Sequence, residues 1–219
     1  MFVNKIIFLI TISRHIKFGI AEMITDAKTS TLIQIVVNVS RVYKKREFHI
    51  STIHVDFQFN TIRIRGAVAE LNVTLNPVSE DEHVPKAEIY IRTIRENSRY
   101  MQTMLPFKKI PGRITMEIVP SCVLWLNIYP REKGVSETMS PRTIITGLII
   151  DPKIHCRIQF GGYVQTHEFH NNITGTEHKI GSLKLLPTGN EQGGYYFYIL
   201  RIGRTKIAIS AHHYPCQMM

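Results

Sequence analysis

Between residues 83 and 105 the chain spaces Val84, Ala87, Ile91, Ile94, Ser98, Met101 and Leu105 three and four apart. That is the repeat of a single helix face, and no other feature restricts the fold as much. A helix this long with one apolar stripe has to lay the stripe on another layer. Its ends are also set: Pro85 is tolerated in a first turn, and Pro106 and Pro111 prevent continuation.

Upstream, strand-like and helix-like runs alternate. Residues 5–13 and 16–23 read as two strands joined by a short turn. Thr29 or Ser30 can cap a helix reaching residue 46, with Leu32, Ile35, Val36, Val39, Val42 and Tyr43 at helical spacing. Lys44, Lys45 and Arg46 suit its last turn. A strand over 48–57, a short helix over 60–71, a strand over 73–76 and a loop over 77–82 lead into the long helix. Residues 114–129 are apolar on nearly every side and predict a buried helix, which Pro120 should kink at a cost of about 3 kcal/mol. The order strand, strand, helix, strand, helix, strand, helix, helix defines an α/β domain with a mixed sheet over 1–130.

The texture then changes. Residues 131–153 read as a linker, and 154–210 as a small all-β module, an antiparallel barrel or meander, followed by a tail over 211–219. Short strand-like runs over 156–160, 163–167, 180–186, 195–201 and 205–209 are punctuated by Gly161-Gly162, Gly193-Gly194 and Gly203.

The charge balance narrows the function. Against 17 Asp+Glu stand 27 Lys+Arg, a net charge of +10. Such an excess favours a polyanionic partner, most simply nucleic acid. Cys122, Cys156 and Cys216 are too few and too scattered for a disulfide framework or a zinc spacing, which suits a reducing, intracellular compartment, nucleus or cytoplasm. The apolar run 6–12 is too short for a signal peptide core or a membrane span and is rich in β-branched residues, as a buried strand is. Its use as a membrane anchor is the least favoured alternative. The sequons at Asn38, Asn72 and Asn172 carry no weight without secretion.

Two carboxylates and three arginines are the candidate site. Asp56 stands where a strand runs into a loop, a position used equally by ligands and by turn starters. On the long helix Glu88, Arg92, Arg95 and Arg99 fall within about 60° of one another at 3.6 residues per turn. Guanidinium forks suit phosphate. The plainer account is a solvated face laced by Glu88–Arg92 and Arg92–Glu96 pairs. No nucleophile-and-base arrangement stands out, and the Gly-Gly pairs lack the context of a phosphate loop.

The combination resembles the integrase portion of copia-type retrotransposon polyproteins. The similar stretches are MFVNKIIFLITISRHIKFGIAEMI, HVDFQFN and LNVTLNPVSEDEHVPKAEIYIRTIREN. They are followed in the same order by LPFKKIPGRITMEIV, LWLNIYP, SPRTIITG, HCRIQFGGYVQTHE and LLPTGNEQGGYYFYILRIGRTK, so that most of the chain is covered. The resemblance implies a ribonuclease H-like core, DNA as partner (element ends and target), an allowance for a homo-oligomer, and no membrane. It implies two magnesium ions (Mg2+) held by an Asp, Asp, Glu triad, and in-line attack of a DNA 3′-hydroxyl on a target phosphodiester. By position Asp56 matches the second aspartate and Glu88 the glutamate, so both are implied as catalytic and metal-binding, and the module over 154–210 resembles a Src-homology-type barrel.

The sequence also departs from the family's pattern. The first aspartate of the family falls ahead of the MFVN stretch, so an N-terminally truncated core, impaired in strand transfer, is expected. On the same reading, the zinc-binding domain that usually precedes the core is expected to be missing. Phe57 replaces the glycine after the second aspartate, Ile89 replaces a polar residue after the glutamate, and Pro120 interrupts a helix that normally runs through. The alternative expectation is a non-enzymatic nucleic-acid-binding module that keeps only the basic face.

Overall fold

The computed structural model describes residues 1–26, 28–56, 59–78, 85–168, 178–188, 194–208 and 211–213. The described residues form a mixed α/β structure with three sheets and six helices. Two compact units divide the chain, one of Met1–Asn97 with Cys122–Gly147 and one of Ser98–Ser121 with Leu148–Met219.

In the first unit β1 (Phe2–Val3), β2 (Ile6–Ile12) and β3 (Gly19–Ile24) make an antiparallel sheet in chain order. The β1–β2 turn pairs Val3 with Ile6 across Asn4 and Lys5, both at positive φ, as a tight two-residue hairpin demands. The β2–β3 turn is closed at both ends. The Ser13 N–H donates to the Phe18 carbonyl at 2.9 Å, and the Phe18 N–H donates to Ser13 Oγ at 3.0 Å. Lys17 occupies the left-handed position of that turn at φ 63. The observed strand begins at Gly19 rather than residue 16 because the turn takes the intervening residues.

Helix α1 (Thr29–Lys44) starts one residue after Lys28, whose side chain makes no capping bond. The expected Thr29 or Ser30 cap is not used; Asp26 instead accepts from Thr31 Oγ1 at 2.6 Å. The helix stops short of residue 46 because Glu47 turns left-handed, with Glu47 N–H donating to the Lys44 carbonyl and Phe48 N–H to the Tyr43 carbonyl. Its buried face, Ile35, Val39 and Tyr43, packs with Phe18, Ile24 and Ile145 into one core. A second core joins Ile64, Val68 and Val73 to Leu32, Val36, Ile53 and Leu75. There β4 (Thr52–Val55) and β5 (Thr74–Pro77) pair in parallel, connected through α2 (Ile62–Ala69), whose Thr61 cap accepts from the Ile64 N–H at 3.3 Å. Among the described residues the antiparallel and parallel strands stand as separate sheets, not as one mixed sheet.

Helices α3 (Pro85–Thr103) and α4 (Gly112–Ile128) contribute to both units. The predicted stripe of α3 is the covered one, with Ile94 and Ser98 fully buried, and Tyr90 joins it. Residues 83 and 84, expected in its first turn, lie outside the described residues. Pro120 does not break α4, which runs through it. The missing hydrogen bond is offset by burial around it: Ile118, Val119 and Cys122 have no exposed surface. Near its end, Asn127 clasps Gly19. Its Nδ2 donates to the Gly19 carbonyl at 2.7 Å, and the Gly19 N–H donates to its Oδ1 at 2.9 Å. Gly19 also lies against the Tyr90 ring, leaving no room for a Cβ.

The stretch expected as linker carries a helix, α5 (Pro141–Thr146), capped by Ser140 Oγ on the Thr143 N–H at 3.1 Å. Pro141 and Ile145 of this helix are buried, and Ile145 belongs to the first core. In the second unit α6 (Pro152–His155) precedes an antiparallel sheet ordered β10-β6-β7-β8-β9. Its strands are β6 (Tyr163–Glu168), β7 (His178–Pro187), β8 (Tyr195–Ile199), β9 (Arg204–Ala208) and β10 (Ala211–His213). Residues 156–160 are not a strand, although Ile158 is buried with Val164, Tyr195 and Phe197. The strand pairing is that of an open meander with β10 added on the β6 edge, and no barrel closure is among the described pairings. The tail over 211–219 is described only as far as β10.

Candidate nucleic-acid interface

The parallel pair puts the carboxyl ends of β4 and β5 side by side. Val55 is in register with Pro77, and the Val78 N–H donates to the Val55 carbonyl at 3.0 Å. Asp56 comes next, exposed, with its carbonyl accepting from the Phe59 N–H at 3.0 Å as the chain turns. Carboxyl ends of parallel strands are where α/β folds receive ligands. Phe57 lies outside the described residues.

Glu88 is exposed in the first turn of α3, where a negative charge complements the helix dipole. Ile89 beside it is 66% exposed, as is Tyr100 further along the same side of the helix. Arg92, Arg95 and Arg99 continue down the helix and are all exposed. Arg92 Nε donates to Glu96 Oε1 at 3.1 Å, the i,i+4 pair expected of a solvated face. With side chains 82% and 59% exposed, that pair holds at most about 0.5 kcal/mol and would yield to a phosphate.

Asp56 and Glu88 have the oxygen donors a hard cation takes, but a two-metal centre needs more than two carboxylates. Among the described residues no group of three His, Cys, Asp or Glu side chains comes together. The donor type fits magnesium, and among the described residues the donor number does not fit a two-metal centre. No helix among the described residues is long and apolar enough to cross a membrane.

Spacing along one helix leaves out cations brought together by separate segments. Burial first, then the charges of Lys86, Arg14 and Arg131, hold the Lys17 ammonium below its ordinary value. Only the pairing of Gly19 with Asn127 and its packing on Tyr90 make these four neighbours, and no sequence pattern signals it. Lys184 escapes sequence reasoning for the opposite reason. It sits in β7, a strand that also carries Lys179, and is 3% exposed, with its Nζ 5.4 Å from the Tyr195 ring centroid.

No protein-family model matches the sequence, and no curated protein matches it. Solved structures similar to part of the chain include the catalytic core domain of BIV integrase. That similarity is at 13% identity, covers 66% of this chain and 88% of that one, and has a TM-score of 0.45.

Proposed function

We propose that this chain is an integrase-core-like polypeptide of the copia type that binds duplex DNA through the arginine face of α3. The observation that carries the proposal is that face: Arg92, Arg95 and Arg99 are exposed together on one helix of a chain with a net charge of +10. Neutralising phosphates releases condensed counterions, and this dominates nucleic-acid affinity. The in-order resemblance of the sequence to copia-type integrase supplies the class of substrate. A core over 1–130, a connecting segment over 131–153 and a barrel-like module over 154–210 belong to the same proposal, as does self-association of the chain.

In this proposal Asp56 and Glu88 take the places of two acids of the triad. Magnesium, where bound, would contact their oxygens and supply Lewis acidity. With two carboxylates the chain by itself joins strands poorly. A strand-transfer assay with magnesium or manganese tests this directly. Little or no joining is expected, and robust joining that disappears in Asp56→Asn would contradict impaired catalysis. Duplex binding that survives Arg92→Ala, Arg95→Ala and Arg99→Ala together would contradict the interface.

A further inference from the structure

The side chain of Asn127, near the end of α4, pairs with both backbone groups of Gly19, and Gly19 packs on Tyr90 of α3. Each of these junctions brings cations with it. Lys17 lies two residues before Gly19 in the β2–β3 turn, and Arg14 lies in the same turn. Lys86 lies one helical turn before Tyr90, and Arg131 follows α4 four residues after Asn127. Three segments remote in sequence thus bring four cationic residues together, and the charges of Lys86, Arg14 and Arg131 all bear on Lys17. Arg14 and Lys86 are exposed, and Lys17 and Arg131 are half-buried.

We propose that Arg14, Lys17, Lys86 and Arg131 form a second nucleic-acid backbone site, separate in composition from the arginine stripe. It rests on the DNA-binding reading above and extends it. Like charges brought together cost free energy in the absence of an anion, so the cluster is unfavourable unless a counter-charge binds. Lys17 adds to that cost, because it holds a left-handed backbone conformation that suits Asn or Gly better than Lys. Four cations, two of them exposed and two half-buried, carry more charge than one small anion neutralises, which suits consecutive phosphates of a polynucleotide.

The test uses the full chain and a fluorescein-labelled DNA duplex, with binding followed by anisotropy as salt is raised. The double variant Lys17→Asn, Arg131→Ala should flatten the slope of log K against log salt by roughly 2, about 0.9 for each phosphate no longer neutralised. Lys17→Arg should keep the wild-type slope. Lys17→Asn should melt above wild type, because it relieves both the backbone and the repulsion, so weaker binding cannot come from impaired folding. Should that variant melt lower, Arg14→Ala with Lys86→Ala decides by the same slope. An unchanged slope in both doubles, with the slope still reduced by the Arg92, Arg95, Arg99 triple alanine variant, overturns this site and leaves the DNA-binding reading intact. Wild-type chain that binds no duplex overturns both. Loss of binding to phosphatidylserine vesicles with duplex binding untouched assigns the cluster to a membrane surface and overturns the proposal as well.

Discussion

The carboxamide of Asn127 completes the outer edge of Gly19, accepting from its N–H at 2.9 Å and donating to its carbonyl at 2.7 Å, all four atoms in buried residues. The side chain acts as one residue of a missing strand. It satisfies two backbone groups that would otherwise be buried without partners, and it ties α4 to β3 within one unit. Asn127→Leu keeps the size and removes both bonds. It should cost about 2–4 kcal/mol in urea unfolding, more than the general run of polar-to-apolar changes.

Gly19 and Tyr90 are coupled in a way that a double-mutant cycle reads. The Tyr90 hydroxyl is buried with no hydrogen-bond partner among the described residues, and burial pushes its pKa up. Tyr90→Phe should therefore stabilise by about 1 kcal/mol, since it removes an unsatisfied group. Gly19→Ala forces a Cβ into that ring and should destabilise by about 1–3 kcal/mol. In the Tyr90→Phe background the penalty should shrink, because the hydroxyl is the nearest atom to the new methyl.

Glu47 closes α1 in a left-handed conformation at φ 61, at the end of a helix where negative charge is unfavourable. Glu47→Gly should raise stability by up to about 1 kcal/mol, read as a melting temperature higher by roughly 2–4 °C.

Lys184 gives the second unit a pH signature. Burial lowers its pKa from 10.5 to about 8, partly opposed by Cys156. Between those values the unfolded chain holds a proton that the folded chain does not. Stability attributable to Lys184 therefore rises with pH across that window, by an amount on the order of 3 kcal/mol. Below about pH 8 the full penalty of burying the ammonium persists. Subtracting the pH profile of Lys184→Met from that of the wild type should leave this rise, and a flat difference would contradict it.

Much of this architecture is legible as periodicity. The stripe on α3 and the apolar face of α1 are local repeats, and the structure buries them. What the sequence does not show depends on packing between distant residues. Ile145, within the stretch read as linker, joins a core that also holds Phe18, Ile24 and the buried face of α1. Pro120 fails to break α4 because its neighbours are wholly buried. The candidate site is legible as residue types on one helix and one strand end. The Lys17, Lys86 and Arg131 neighbourhood is not, since it exists only through Gly19, Asn127 and Tyr90.

The most direct measurement is the salt dependence of duplex binding by the wild-type chain and by the Arg92→Ala, Arg95→Ala, Arg99→Ala variant. With three fewer phosphates neutralised, the log–log slope should flatten by roughly 2–3 and binding should weaken across unrelated duplex sequences alike. A variant that binds with the wild-type slope and affinity would contradict the assignment of that helix face to DNA.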